Sequence, residues 1–224
     1  MQRRSGLTLW SIADVDQGLV PAADAAVFEA IVGWTRSFLL AGHPQLGRDG
    51  LVCPFTKAAL ENGLFLLACA EPSSDTREIQ VLISRFRAWY CEMAAKLDDR
   101  KRGLLTFLVL LPDLDPTDAS ELDAVQAVLK DEFVEQGLMI GQFHPACNQP
   151  GIWNANFRPL RAPVPLLAIR AMVKQDLPFL VDQPSHVEAY RRRFGHRTPA
   201  AQSRVRALFN ERETQLGDDA RIGA

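Results

Sequence analysis

The sequence predicts an α+β fold: a mixed sheet of about four strands with helices packed on it. Three observations carry this. Two short apolar runs, LFLLACA at 64–70 and GLLTFLVLLP at 103–112, are bounded by glycine or proline and do not alternate, as expected of strands covered on both faces. Amphipathic segments of helical period precede and separate them. Two further short runs, LMIGQF at 138–143 and PLLAIRAMV at 165–173, close the pattern as strands.

The elements follow in order. Residues 23–40 form the first helix, because Val27, Ile31, Trp34 and Phe38 fall on one face. Gly42, Pro44 and Gly47 then mark a loop. CPFTKAALENG, from Cys53, reads as a short helix stopped by Gly63, with Pro54 suited to its first turn. After strand 64–70, Ser74 or Asp75 caps a helix whose stripe is Ile79, Leu82, Ile83, Phe86, Tyr90, Met93 and Leu97. After strand 103–112, Thr117 or Asp118 caps a third helix. It buries Leu122, Val125, Leu129 and Phe133 and stops at Gly137. Residues 184–212 read as one or two amphipathic helices. The chain is expected to be one globular domain over 1–224, with 184–224 a helical C-terminal extension.

With 224 residues, 47% of them hydrophobic and 23% charged, the composition is ordinary for a globular protein that buries a sizeable core. The net charge of −2 gives no reason to expect nucleic acid or an anionic membrane as partner. No apolar run reaches the ~18 residues of a membrane span, and the basic start MQRRSGLTLW meets Asp14 and Asp16 before any long apolar core. Cys53, Cys69, Cys91 and Cys147 are scattered without a CxxC pair, which suits reduced thiols in the cytoplasm. The arginine-rich tail from His186 lacks the aromatic or glycine-rich elements that nucleic-acid recognition uses.

The densest chemistry lies at 141–163, GQFHPACNQPGIWNANFRPLRAP, directly after a strand. Polar side chains at a strand end tend to face a crevice where α/β proteins bind ligands, and five prolines at 145, 150, 159, 163 and 165 stiffen this one. Its candidates are Gln142, His144, Cys147, Asn148, Trp153, Asn154, Asn156, Arg158 and Arg161. His144 beside a proline also reads simply as a hydrogen-bonded strand-end residue. Arg170 interrupts an otherwise buried strand and so needs a carboxylate partner, from the protein or from a ligand. His43, His186 and His196 read as solvated. Cys53 at a helix start is either an activated thiolate or a small apolar residue on a buried turn. No nucleotide-binding glycine motif, HExxH or facial-triad pattern is present.

CPFTKA at 53–58, QFHP at 142–145 and NFRPLRAPVPLLAIRAM at 156–172 together resemble a bacterial family of unknown function. That family carries a CPFAK-type motif, an FHP motif and an NRSPYP-like segment followed by LHLLR. The resemblance covers roughly residues 25 to 180. RAPVP at 161–165 stands where RSPYP would be, and LLAIR lacks the histidine of LHLLR, so no role of that histidine transfers.

In size and layout the chain is also similar to a group of heme proteins of antibiotic pathways. These include the L-arginine N-hydroxylase of D-cycloserine formation and relatives that form N–N bonds. That resemblance implies heme b as cofactor, with His144 as axial ligand to iron and Cys53 as the competing ligand. Arg158, Arg161 and Arg170 would bind the heme, the last two at its propionates, and Trp153, Asn154 and Asn156 would hold an amino-acid substrate. The implied reaction is N-hydroxylation, with N–N bond formation or a non-enzymatic small-anion-binding module as alternatives. The expected partner is a small molecule, with a homodimer compatible with the sequence.

Overall fold

The computed structural model describes residues 1–4, 6–71 and 75–195. Its residues fall into two compact units, one comprising 1–133 with 138–171, the other 134–137 with the chain from Met172 on.

The first unit holds a six-stranded mixed sheet, so the α+β class is correct and the expected strand number was too low. The strands are β1 (Gln2–Arg4), β2 (Leu7–Ser11), β3 (Phe65–Cys69), β4 (Thr106–Leu110), β5 (Leu138–Phe143) and β6 (Leu166–Ala171), in spatial order β1-β2-β3-β4-β6-β5. Only β3 and β4 run parallel; every other neighbouring pair is antiparallel. All four strands expected from sequence form. The two additions are a hairpin turning at Gly6, whose φ of +82° a side chain would resist.

The helices are α1 (Ile12–Asp16), α2 (Ala25–Trp34), α3 (Thr56–Glu61), α4 (Thr76–Ala94), α5 (Asp99–Arg102), α6 (Ser120–Glu135) and α7 (Pro184–Phe194). The expected helix 23–40 is α2 followed by a π-helical turn, Thr35–Leu39. Asp75 caps α4, accepting from the amide of Arg77 at 2.7 Å. Asp118 accepts from Ser120 at 3.2 Å where α6 begins. The expectation for 184–212 is met by α7 up to Phe194, and its part beyond Gly195 lies outside the described residues.

Each face of the sheet supports its own core. On one, Ile79, Ile83, Phe86 and Tyr90 of α4 and Leu122, Val125, Leu129 and Phe133 of α6 meet Leu66, Ala68, Phe107, Val109, Ile140 and Ile169. On the other, Phe28, Ile31 and Val32 of α2 and Ala59 of α3 meet Phe65, Leu67, Leu108, Leu110 and Leu166. Strands β3 and β4 are buried from both sides, which is why their sequences show no alternation.

A polar knot joins β2 to α1. The carboxylate of Asp14 accepts from the Ser11 amide at 2.8 Å, the Ser11 hydroxyl at 2.7 Å and the Met1 ammonium at 2.8 Å. Burial opposes ionisation there, but these donors and the Met1 charge outweigh it and hold Asp14 down to about 2 from 3.8. A carboxylate depressed on folding contributes stability above its unfolded pKa, which is lost as it is protonated. Asp14→Asn is therefore expected to destabilise the fold at neutral pH. The gap to wild type should close as pH falls from about 4 to about 2, as urea titrations across that range would read.

Candidate functional site

The β5–β6 connection, residues 144–165, is the segment singled out by sequence, and its own hydrogen bonds shape it. The His144 amide donates to Leu160 O at 3.3 Å and Cys147 N to His144 O at 3.1 Å. Gly151 N and Phe157 O meet at 2.9 Å, and Phe157 N donates to Asn154 O at 3.1 Å. The side chain of Arg161 staples the base of the segment through Nε to Cys147 O at 3.1 Å, with Nη2 3.4 Å from Asn148 Oδ1. Arg158 donates to the carbonyls of Ala155 and, at 3.2 Å, Phe157. Arg170 donates to Ala171 O at 3.1 Å, away from this segment on β6. The three arginines expected at a cofactor thus each bind main chain as well.

His144 is 3% exposed. It continues the face of β5 that carries Leu138 and Ile140, so its ring meets α6, where Nε2 lies 3.2 Å from Asp123 Oδ1. Its other ring nitrogen, Nδ1, is buried without a hydrogen-bond partner. Leaving such a group unsatisfied costs about 1–3 kcal/mol. A neutral imidazole donating from Nε2 to the carboxylate keeps a bare lone pair on Nδ1. Beside it, burial pushes the Cys147 thiol up, although Arg161 and Arg158 pull the other way.

The far end of the segment docks on a second loop. Asn154 Nδ2 donates to Gln45 O at 2.9 Å, and its Oδ1 accepts from Asn156 N at 2.9 Å. Both ends of the Asn154 amide are thereby committed to positioning the chain. Trp153 and Ile152 stand 46% and 45% exposed. Trp153 presses on Gly47, which has φ +75° and no room for a Cβ.

Next to this junction is a run of rings that sequence reasoning did not assemble. His43 stacks on Phe157 with centroids 4.6 Å apart, and Phe38 lies 6.0 Å from His43 and 6.1 Å from Phe157. Trp34 stacks on Phe38 at 6.0 Å and meets Phe143 edge-on at 5.9 Å. Its indole donates to Arg161 O at 3.1 Å. His43, read from sequence as solvated, is half-buried, with Nδ1 accepting from Gln45 N at 3.1 Å. The only sequence cue was that Phe38 and Trp34 share a helical face with the core yet are large and aromatic.

Cys53 sits half-buried before α3, its amide bonded to Leu39 O at 3.1 Å, and belongs to the apolar cluster under α2. Cys69 is raised to about 12 by burial and by the neighbouring carboxylates of Asp24 and Asp113, which disfavours its thiolate form at neutral pH.

A family profile described as a domain of unknown function (DUF6875) matches residues 28–205. The chain belongs to this family. The match takes in α2 from Phe28 onward, both loops of the ring junction and the whole β5–β6 segment, so the candidate site lies within the shared domain. No curated protein and no solved structure matches the chain. No helix among the described residues is long and apolar enough to cross a membrane.

Proposed function

We propose that this protein is a cytoplasmic heme enzyme that oxidises an amino-acid nitrogen, with N-hydroxylation of L-arginine in a secondary-metabolite pathway as the specific reaction. The observation that carries this reading is the buried His144 ring, held by Asp123 at one nitrogen and unpartnered at the other. An imidazole whose second nitrogen meets a carboxylate is the arrangement that orients and strengthens metal-ligating histidines. Among the described residues no cluster of three His, Cys, Asp or Glu forms a metal cage. A lone buried imidazole suits a cofactor that takes one protein ligand, as heme does. The similarity in size and layout to heme proteins of antibiotic pathways adds to it.

The residues present fit the group in donor chemistry. His144 would hold the iron through Nδ1, and Arg158 and Arg161, exposed or half-exposed at the segment, would meet its carboxylates. Heme, when bound, supplies the oxidising chemistry on dioxygen or peroxide. Asp123 keeps the His144 proton on Nε2. Arg161 and Asn154 hold the backbone of 147–161 in one shape, which limits the ordering cost of binding. Trp153 and Asn156 lie on the exposed side, where an amino-acid substrate would be met. With peroxide, one N–H becomes N–O–H and water is released, so arginine plus hydrogen peroxide gives hydroxyarginine plus water.

The test is mass analysis of L-arginine incubated with hemin-loaded protein and peroxide. A product heavier by one oxygen is expected, absent with His144→Ala and formed roughly 10- to 100-fold more slowly with Asp123→Asn. Turnover unchanged in both variants would overturn the reading.

A further inference from the structure

We infer that the ring wall built by Trp34, Phe38, His43 and Phe157, with Arg158 and Arg161 at its rim, is a binding face for a planar ring system carrying carboxylates. Two kinds of observation converge on it.

The first is the wall itself. Trp34, Phe38 and His43 are only half-buried, although each is a large ring in a cluster whose inner member, Phe157, is 4% exposed. Stacking inside the wall is already formed, with His43 on Phe157 at 4.6 Å and Trp34 on Phe38 at 6.0 Å. The rings are therefore preorganised, and a planar ligand gains contact without ordering them. Tethers at both edges hold this shape: Trp34 Nε1 to Arg161 O, and Gln45 N to His43 Nδ1. The wall also rises from a π-helical turn, Thr35–Leu39, an irregularity frequent at functional sites. At its root, Thr35 is fully buried and its hydroxyl has no partner.

The second is charge. The flanking side chains are guanidinium groups, and Arg161 is exposed with only one short hydrogen bond, from Nε. A cationic ligand would be repelled by them, whereas carboxylates can be received by two parallel hydrogen bonds. Aromatic faces next to arginine thus select a flat, negatively charged ring. Heme is the member of that class named by the reading above, and the inference rests on that reading only for this name. The wall needs no iron ligand.

The probe is therefore metal-free protoporphyrin IX, which has the ring and two carboxylates but no iron. Titration into the full chain is expected to quench tryptophan emission saturably. Trp34→Leu and Arg158→Gln should each weaken binding roughly three- to tenfold. His43→Gln, which keeps a polar group at the rim but removes a stacked ring, should do the same. Val128→Ser, on the exposed side of α6, should leave binding unchanged and serves as control, with circular dichroism confirming the fold of every variant. No saturable quenching, or equal affinity in all variants, would overturn the inference. If protoporphyrin binds as described but hemin gives no iron–imidazole spectrum, the wall stands and the heme reading fails. If hemin ligates normally and the wall variants bind both rings like wild type, the reverse holds.

Discussion

Phe107→Ala is expected to cost about 3–5 kcal/mol of stability. Phe107 lies on β4, the strand between β3 and β6, and is fully buried. Its ring takes the edges of two α4 aromatics, Tyr90 at 5.2 Å and 71° and Trp89 at 6.1 Å and 68°. Truncation would remove both contacts and leave a cavity between sheet and helix. The neighbours cannot collapse into it, because β4 is paired on both sides and the Tyr90 hydroxyl is tied to Leu105 O at 2.9 Å. Urea unfolding should show a lower midpoint with little change in slope. A loss under 1 kcal/mol would mean that α4 does not pack here as described.

Gly47→Ala should produce the largest effect on the candidate site. At φ +75° a β-carbon is already strained, and here it would stand 2.7 Å from Trp153 O, 2.9 Å from Trp153 Cβ and 3.0 Å from Trp153 C. Two of those three atoms are main chain, so no rotamer change relieves the clash. The 43–47 loop and the 150–157 turn must separate. That would break the Asn154–Gln45 hydrogen bond and loosen the His43–Phe157 stack. The expected cost is roughly 1–3 kcal/mol. Trp153 emission should shift, and ring-ligand binding should be lost while far-ultraviolet circular dichroism stays near wild type. Wild-type emission and binding in the variant would contradict the close approach.

The sheet core was legible because burial from both faces leaves an unmistakable mark. LFLLACA carries no charged or hydroxyl side chain and GLLTFLVLLP only Thr106, and α4 and α6, which follow them in turn, repeat apolar residues at helical spacing. The β1–β2 hairpin was not legible. QRR carries no apolar residue, and its register depends on pairing with LTLWS across a turn at Gly6. The π-helical turn after Trp34 was equally hidden, since its residues keep a helical pattern while the backbone shifts by one.

At the site, the density of polar and proline residues identified 141–163 as a structured segment. The inward turn of His144 follows from alternation along β5. Its partner Asp123 could not be read off, because α6 and β5 meet only in three dimensions. His43 was misjudged for the same reason. Nothing local to a glycine-flanked loop signals that Phe157, far along the chain, will lie against its ring.

The central claim is that the His144 imidazole ligates heme iron, and the absorption spectrum of the purified protein with hemin tests it most directly. The account predicts a Soret band characteristic of histidine ligation that is lost or shifted in His144→Ala and intact in Cys53→Ala. A protein that retains no Soret band once unbound hemin is removed, or a spectrum indifferent to His144→Ala, would contradict it.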